Sequence, residues 1–103
     1  MKLNISVRSA NPNVAIDIIE GKIAEGITVK RPKRLMEMVN PPIDYYFIIE
    51  GLAVQVAATI IANYLWEKLK NNKANELTIG NQVVKIDAQK IEQIVIINLN
   101  EEK

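Results

Sequence analysis

A chain of 103 residues, 49% apolar and 24% charged, has the length and make-up of one globular domain with one core. The formal net charge of +1 supplies no global field for nucleic acid or an anionic membrane. With neither cysteine nor histidine, disulfides, thiol nucleophiles, Cys/His zinc sites and the commonest general base are all excluded. Aromatic residues are scarce, so Ile, Val, Leu and Ala must build the core.

In chain order, Leu3, Ile5 and Val7 alternate with Lys2, Asn4, Ser6 and Arg8, the period-two pattern of a half-buried strand. Asn11 offers a helix cap and Pro12 a first helical position, where a missing N–H costs nothing. Ala15, Ile18, Ile19 and Ile23 then share a stripe, while Asp17, Glu20, Lys22 and Glu25 face water. Gly26 reads as that helix's C-terminal stop. Ile27 and Val29 restart an extended segment and complete a βαβ-like unit.

Lys30 to Arg34 reads KRPKR, and Pro32 restricts it to an edge strand. The segment from Lys30 to Ile43 is expected to be such a strand running into a loop broken by Asn40-Pro41-Pro42. Next comes an apolar stretch from Tyr45 to Leu69, opened by Tyr45, Tyr46 and Phe47, closed by Tyr64 and Trp66, and uncharged from Gly51 to Trp66. It predicts one long helix over about Asp44–Lys70, weakened early by Gly51 and starting properly near Glu50. Gly80-Asn81 between two β-rich arms predicts a two-residue hairpin turn of the II′ kind. That register puts Leu77, Ile79, Val84 and Ile86 on one face and Thr78, Val83 and Lys85 on the other. Asp87 caps a short final helix carrying Ile91, Ile94 and Val95. A strand over IVIINL is the alternative.

Four features could carry function. The long helix, with aromatics at both ends about 30 Å apart at 1.5 Å per residue, imitates a membrane span. Its uncharged run falls short of the roughly 18 to 20 residues needed, however, and Glu50, Gln55 and Asn63 interrupt it. A central core helix, apolar on most sides, explains the pattern better, and a helix lying across a sheet with its remaining apolar face toward a second subunit would produce the same pattern. Lys30, Arg31, Lys33 and Arg34 form a local cationic patch for nucleic acid or an acidic partner, although no aromatic residue interleaves with them in sequence. Asp17 and Glu20 lie one turn apart on a polar face, where solvation is their ordinary role. Glu50 sits among apolar neighbours at the start of a helix, where it favours the dipole. No combination of residues makes a catalytic set, a metal site or a cofactor loop.

The segments ANYLWEKLKNNK, LTIGNQVVKI and DAQKIEQI give a long alanine-containing helix ending in Trp and basic residues, a hairpin with a Val-rich return strand, and an Asp-led helix. In this order they resemble the effector-associated constant component family of bacterial conflict systems. The resemblance implies a small non-enzymatic adaptor in a defence or signalling system, coupled to separate effectors.

The expected fold is therefore an α+β two-layer sandwich over residues 1–103, with about four strands, two main helices and a short C-terminal helix in the order βαβαββα. Protein–protein interaction is the expected function, with a homodimer among the partnerships and Tyr45, Tyr46, Glu50, Tyr64 and Trp66 as candidate contacts. A virus- or plasmid-coded nucleic-acid binder or inhibitor using the Lys30–Arg34 patch is the alternative, and a membrane-associated protein the second. The N-terminal residues MKLNISVRSANPN lack the apolar run of a signal peptide, which predicts a cytoplasmic location.

Overall fold

The alternation at the N-terminus is realised as strand β1 (Lys2–Arg8), which buries Leu3, Ile5 and Val7 and exposes Lys2, Asn4 and Arg8. The computed structural model of the protein describes residues 1–8, 21–31, 43–70 and 76–102. Over them follow β2 (Gly21–Ala24), β3 (Ile27–Lys30), β4 (Ile43–Ile49), α1 (Val54–Leu69), β5 (Glu76–Ile79), β6 (Gln82–Val84) and α2 (Ala88–Glu102). The strands form one antiparallel sheet in the order β2-β3-β4-β1-β5-β6.

Directly paired residues share a face. Leu3 pairs with Phe47, Ile5 with Tyr45 and Ile79, Val7 with Leu77, Ile27 with Ile49, Val29 with Phe47, and Leu77 with Val84. All of these are buried and form the inner face. The buried residues of both helices join them in a single cluster, so α1 and α2 cover the same side of the sheet. On α1 they are Ala57, Ala58, Ile61, Ala62, Leu65 and Leu69, a stripe at helical period. On α2 they are Ile91, Val95 and Leu99, one turn apart. Each fully buried Leu, Ile or Val contributes roughly 1.5–3 kcal/mol relative to exposure. The Phe47 and Tyr64 rings meet edge to face at 6.3 Å, fixing α1 over β4. The Thr59 hydroxyl donates to Glu92 Oε1 at 2.8 Å across the two helices.

The α+β class holds, with six strands among the described residues where about four were expected. Two differences account for the count. Residues 21–25 are not the tail of a helix: Gly21–Ala24 is a strand, and Gly26 (φ +84°) turns the β2–β3 hairpin. The rest of the expected first helix lies outside the described residues. The second difference is β4, which occupies the stretch read as the opening of the long helix. Gly51 (φ +71°) ends that strand's run and α1 begins only at Val54. Consequently β3 is interior between β2 and β4, while most of the segment from Lys30 to Ile43, expected as an edge strand running into a loop, lies outside the described residues.

The C-terminal half follows its sequence pattern. Gly80-Asn81 joins β5 and β6, with Gly80 at φ +62° as a primed turn requires. Leu77, Ile79 and Val84 are buried, while Val83 is 64% exposed on the opposite face. The last segment is a helix, longer than the short one expected. Asp87 caps it: Oδ1 accepts from the N–H groups of Gln89 and Lys90 at 3.0 and 3.1 Å.

Candidate interaction surface

The outer face of the sheet is built by the residues that alternate with the core. Tyr46 on β4 lies across from Lys30 on β3 and Asn4 on β1. Ile48, next on the same face, lies across from Thr28 and Lys2, and Thr28 in turn faces Lys22 on β2. Farther along, Ser6 stands between Asp44 and Thr78, and Arg8 faces Glu76. Both described helices lie on the other side. Tyr46 and Ile48 therefore form a short apolar ridge, half-buried among neighbours that are mostly polar. A depression of about 240 Å³ opens beside it, lined by Asn4, Ser6, Asp44, Tyr46 and Gly80 among others.

The rim of this ridge is cationic. Lys2, Lys22 and Lys30 are exposed around it, and the Lys2 ammonium sits 4.4 Å from the Tyr46 ring centroid. Such a contact holds the cation over the π face, worth about 0.5–1 kcal/mol at an exposed site. Arg8 is opposed by Glu76 one row beyond. Lys22 is itself paired with the Glu25 carboxylate at 3.0 Å, whereas Asp44 and Glu76 lie toward the other end of the ladder, away from Ile48.

The residues singled out from sequence do not converge. Tyr45 is 1% exposed, on the inner face, with the Arg31 guanidinium 5.6 Å from its ring centroid. Tyr46, its neighbour, points to the opposite side of the sheet. Glu50 is exposed in the β4–α1 connection, where its N–H donates to the Gly26 carbonyl. Tyr64 and Trp66 are half-buried on α1. Lys68 lies 5.6 Å from the Tyr64 ring and Lys70 4.2 Å from the Trp66 ring. Lys30 ends β3 and Arg31 follows it. Lys33 and Arg34, like Asp17 and Glu20, lie outside the described residues.

Sequence reading missed Thr28 and Ile48, and although the alternation put Lys2 and Asn4 on the polar face of β1, only cross-strand register brings them beside Tyr46 and Ile48. No local motif marks that adjacency.

A second cleft of about 360 Å³ lies where β1, the β5–β6 turn and the end of α2 meet, lined by Lys2, Leu3, Asn4, Gly80, Asn98 and Glu101. Its lining is divided about evenly between polar and apolar surface, unlike the predominantly apolar pockets that hold small molecules. Among the described residues, no three Asp or Glu converge as a metal site would require. No helix among them is long and apolar enough to cross a membrane. Comparison with family models, curated proteins and solved structures finds no match for the chain.

Proposed function

We propose that this chain is a non-enzymatic interaction module that receives an acidic protein partner on the outer face of its sheet. The observation that carries this reading is the Tyr46–Ile48 ridge, framed by Lys2, Lys22 and Lys30 and left without a helix among the described residues. An aromatic anchor flanked by an aliphatic residue, with charge at the rim, is the usual composition of a protein interface. The depression beside Tyr46 is below the roughly 300 Å³ at which small-molecule sites begin, and suits one inserted side chain. The resemblance noted above supports an adaptor role in a prokaryotic defence or conflict system, acting in the cytoplasm beside separate effectors.

A nucleic-acid reading gains one observation. Register sets Tyr46 directly across from Lys30, supplying the aromatic neighbour that the linear KRPKR motif lacks. Base stacking needs an open ring face, however, and Lys2 already lies over Tyr46. The geometry therefore favours a protein partner.

The test is a photo-crosslinking residue placed at Ile48, and separately at the helix-side position Gln93, in cells that carry the native partner. The reading expects one acidic protein linked from Ile48, lost when Lys2 and Lys30 are changed to Glu, and nothing from Gln93. Adducts from Gln93 alone would refute it. Adducts from Ile48 that disappear on nuclease treatment would shift the assignment to nucleic acid.

A further inference from the structure

We infer that two copies of this chain pair through β6, joining their sheets edge to edge. This edge is separated from the Tyr46–Ile48 ridge by β1 and β5 and does not depend on it. The argument begins with the direction of the backbone groups. Gly80 donates its N–H to the Asn4 carbonyl at 2.9 Å, so residues of even number at this end of β5 direct their backbone groups to β1. Leu77 and Ile79 accordingly direct theirs to β6. Val83 lies across from Thr78, a non-hydrogen-bonded pair, so the Val83 N–H and C=O point outward from the sheet.

Exposed edges are usually guarded by proline, charge or a bulge. The opposite edge, β2, has such a guard, a register shift between Lys22 and Ala24. In β6 there is no proline, no charge and no shift in register with β5, and the Val83 side chain is 64% exposed. Its brevity limits pairing to a few bonds, which makes the dimer concentration-dependent.

The occupant is a second copy because the edge is complementary to itself. In an antiparallel pairing centred on Val83, the two Val83 residues face each other and exchange both backbone hydrogen bonds. Gln82 then faces Val84, and Lys85 faces Asn81 and not the other Lys85. Like charges never oppose, and a two-fold axis closes the assembly at two copies.

The experiment measures mass by sedimentation and light scattering across a concentration series of the full chain. Amide exchange at Val83 is followed in parallel. V83P removes the outward N–H without breaking a bond of the β5–β6 ladder, and V83K sets two like charges across the axis while keeping the backbone intact. The wild-type mass is expected to rise toward twice the monomer value, with the Val83 amide slowing as it does. Each variant should weaken the dimer by at least about tenfold. Circular dichroism reports whether they fold, and V83K carries the test alone if V83P does not. A monomer throughout, a dimer undiminished in the folded variants, or a dimer whose Val83 amide still exchanges freely would each overturn the inference.

Discussion

The backbone N–H of Glu50 donates to the carbonyl of Gly26 at 2.8 Å, tying the β2–β3 turn to the end of β4. The approach is so close that a Cβ on Gly26 would lie 2.5 Å from the Glu50 carbonyl oxygen and 3.1 Å from the Leu52 side chain. Gly51 has a similar φ, +71° against +84°, but no atom would meet its Cβ within 4 Å. The two glycines thus separate conformational from steric cost. G51A is expected to lose about 1–2 kcal/mol from the left-handed backbone alone. G26A should lose about 1–3 kcal/mol more from overlap. Urea unfolding of both variants checks the difference, and equal losses would contradict the contact.

Replacing Leu65 by Ala should destabilise the fold by about 2–5 kcal/mol, because the side chain is fully buried between α1 and the sheet. V56A on the same helix, at a residue 49% exposed, should change stability by no more than about 0.5 kcal/mol. Thermal unfolding of the pair measures how one-sided the helix is. Similar losses at both sites would mean that Val56 too is covered.

Asp87 begins α2 by accepting two backbone N–H bonds. D87A should cost about 0.5–2 kcal/mol, whereas D87N keeps the acceptor and should stay near wild type. If D87N lost as much as D87A, charge at the helix N-terminus would outweigh the hydrogen bonds.

If the proposed acidic partner docks on the outer face, Lys30 should act on it before contact as well as after. K30E is expected to slow association several-fold at low salt and to flatten its salt dependence, leaving the unfolding midpoint nearly unchanged. Association rates by surface plasmon resonance over a salt series are the check. A K30E variant with wild-type kinetics would remove the cationic rim from the recognition surface.

Strand β1, the Gly80-Asn81 hairpin and the capped final helix were legible because each has a local signature: alternation, a turn dipeptide, or an acceptor before an apolar stripe. Strand β4 was not. Its inward residues are Tyr45, Phe47 and Ile49, but its outward ones include Tyr46 and Ile48, so no alternation of hydropathy shows in the sequence. Such a continuous apolar run cannot be told from a buried helix by period, and it merged with α1 behind it. The feature that hid the strand is the one that forms the candidate ridge. Gly26 misled for a different reason, since a positive φ serves a helix stop and a hairpin turn alike. Lys30 and Tyr46 were each picked out, but their adjacency depends on the register of β3 with β4.

The position of β1 within the sheet bears on how the chain is made. Strand β1 precedes both of its partners in the chain yet occupies an interior place, pairing with β4 on one side and β5 on the other. Lys2 must find Ile48, and Arg8 must find Glu76, before either flank of β1 is closed. Pairings so distant in sequence slow folding and leave strand edges open during synthesis. The nascent chain must therefore hold Leu3, Ile5 and Val7 unpaired until β4 and β5 have emerged, a window in which a chaperone can act on it.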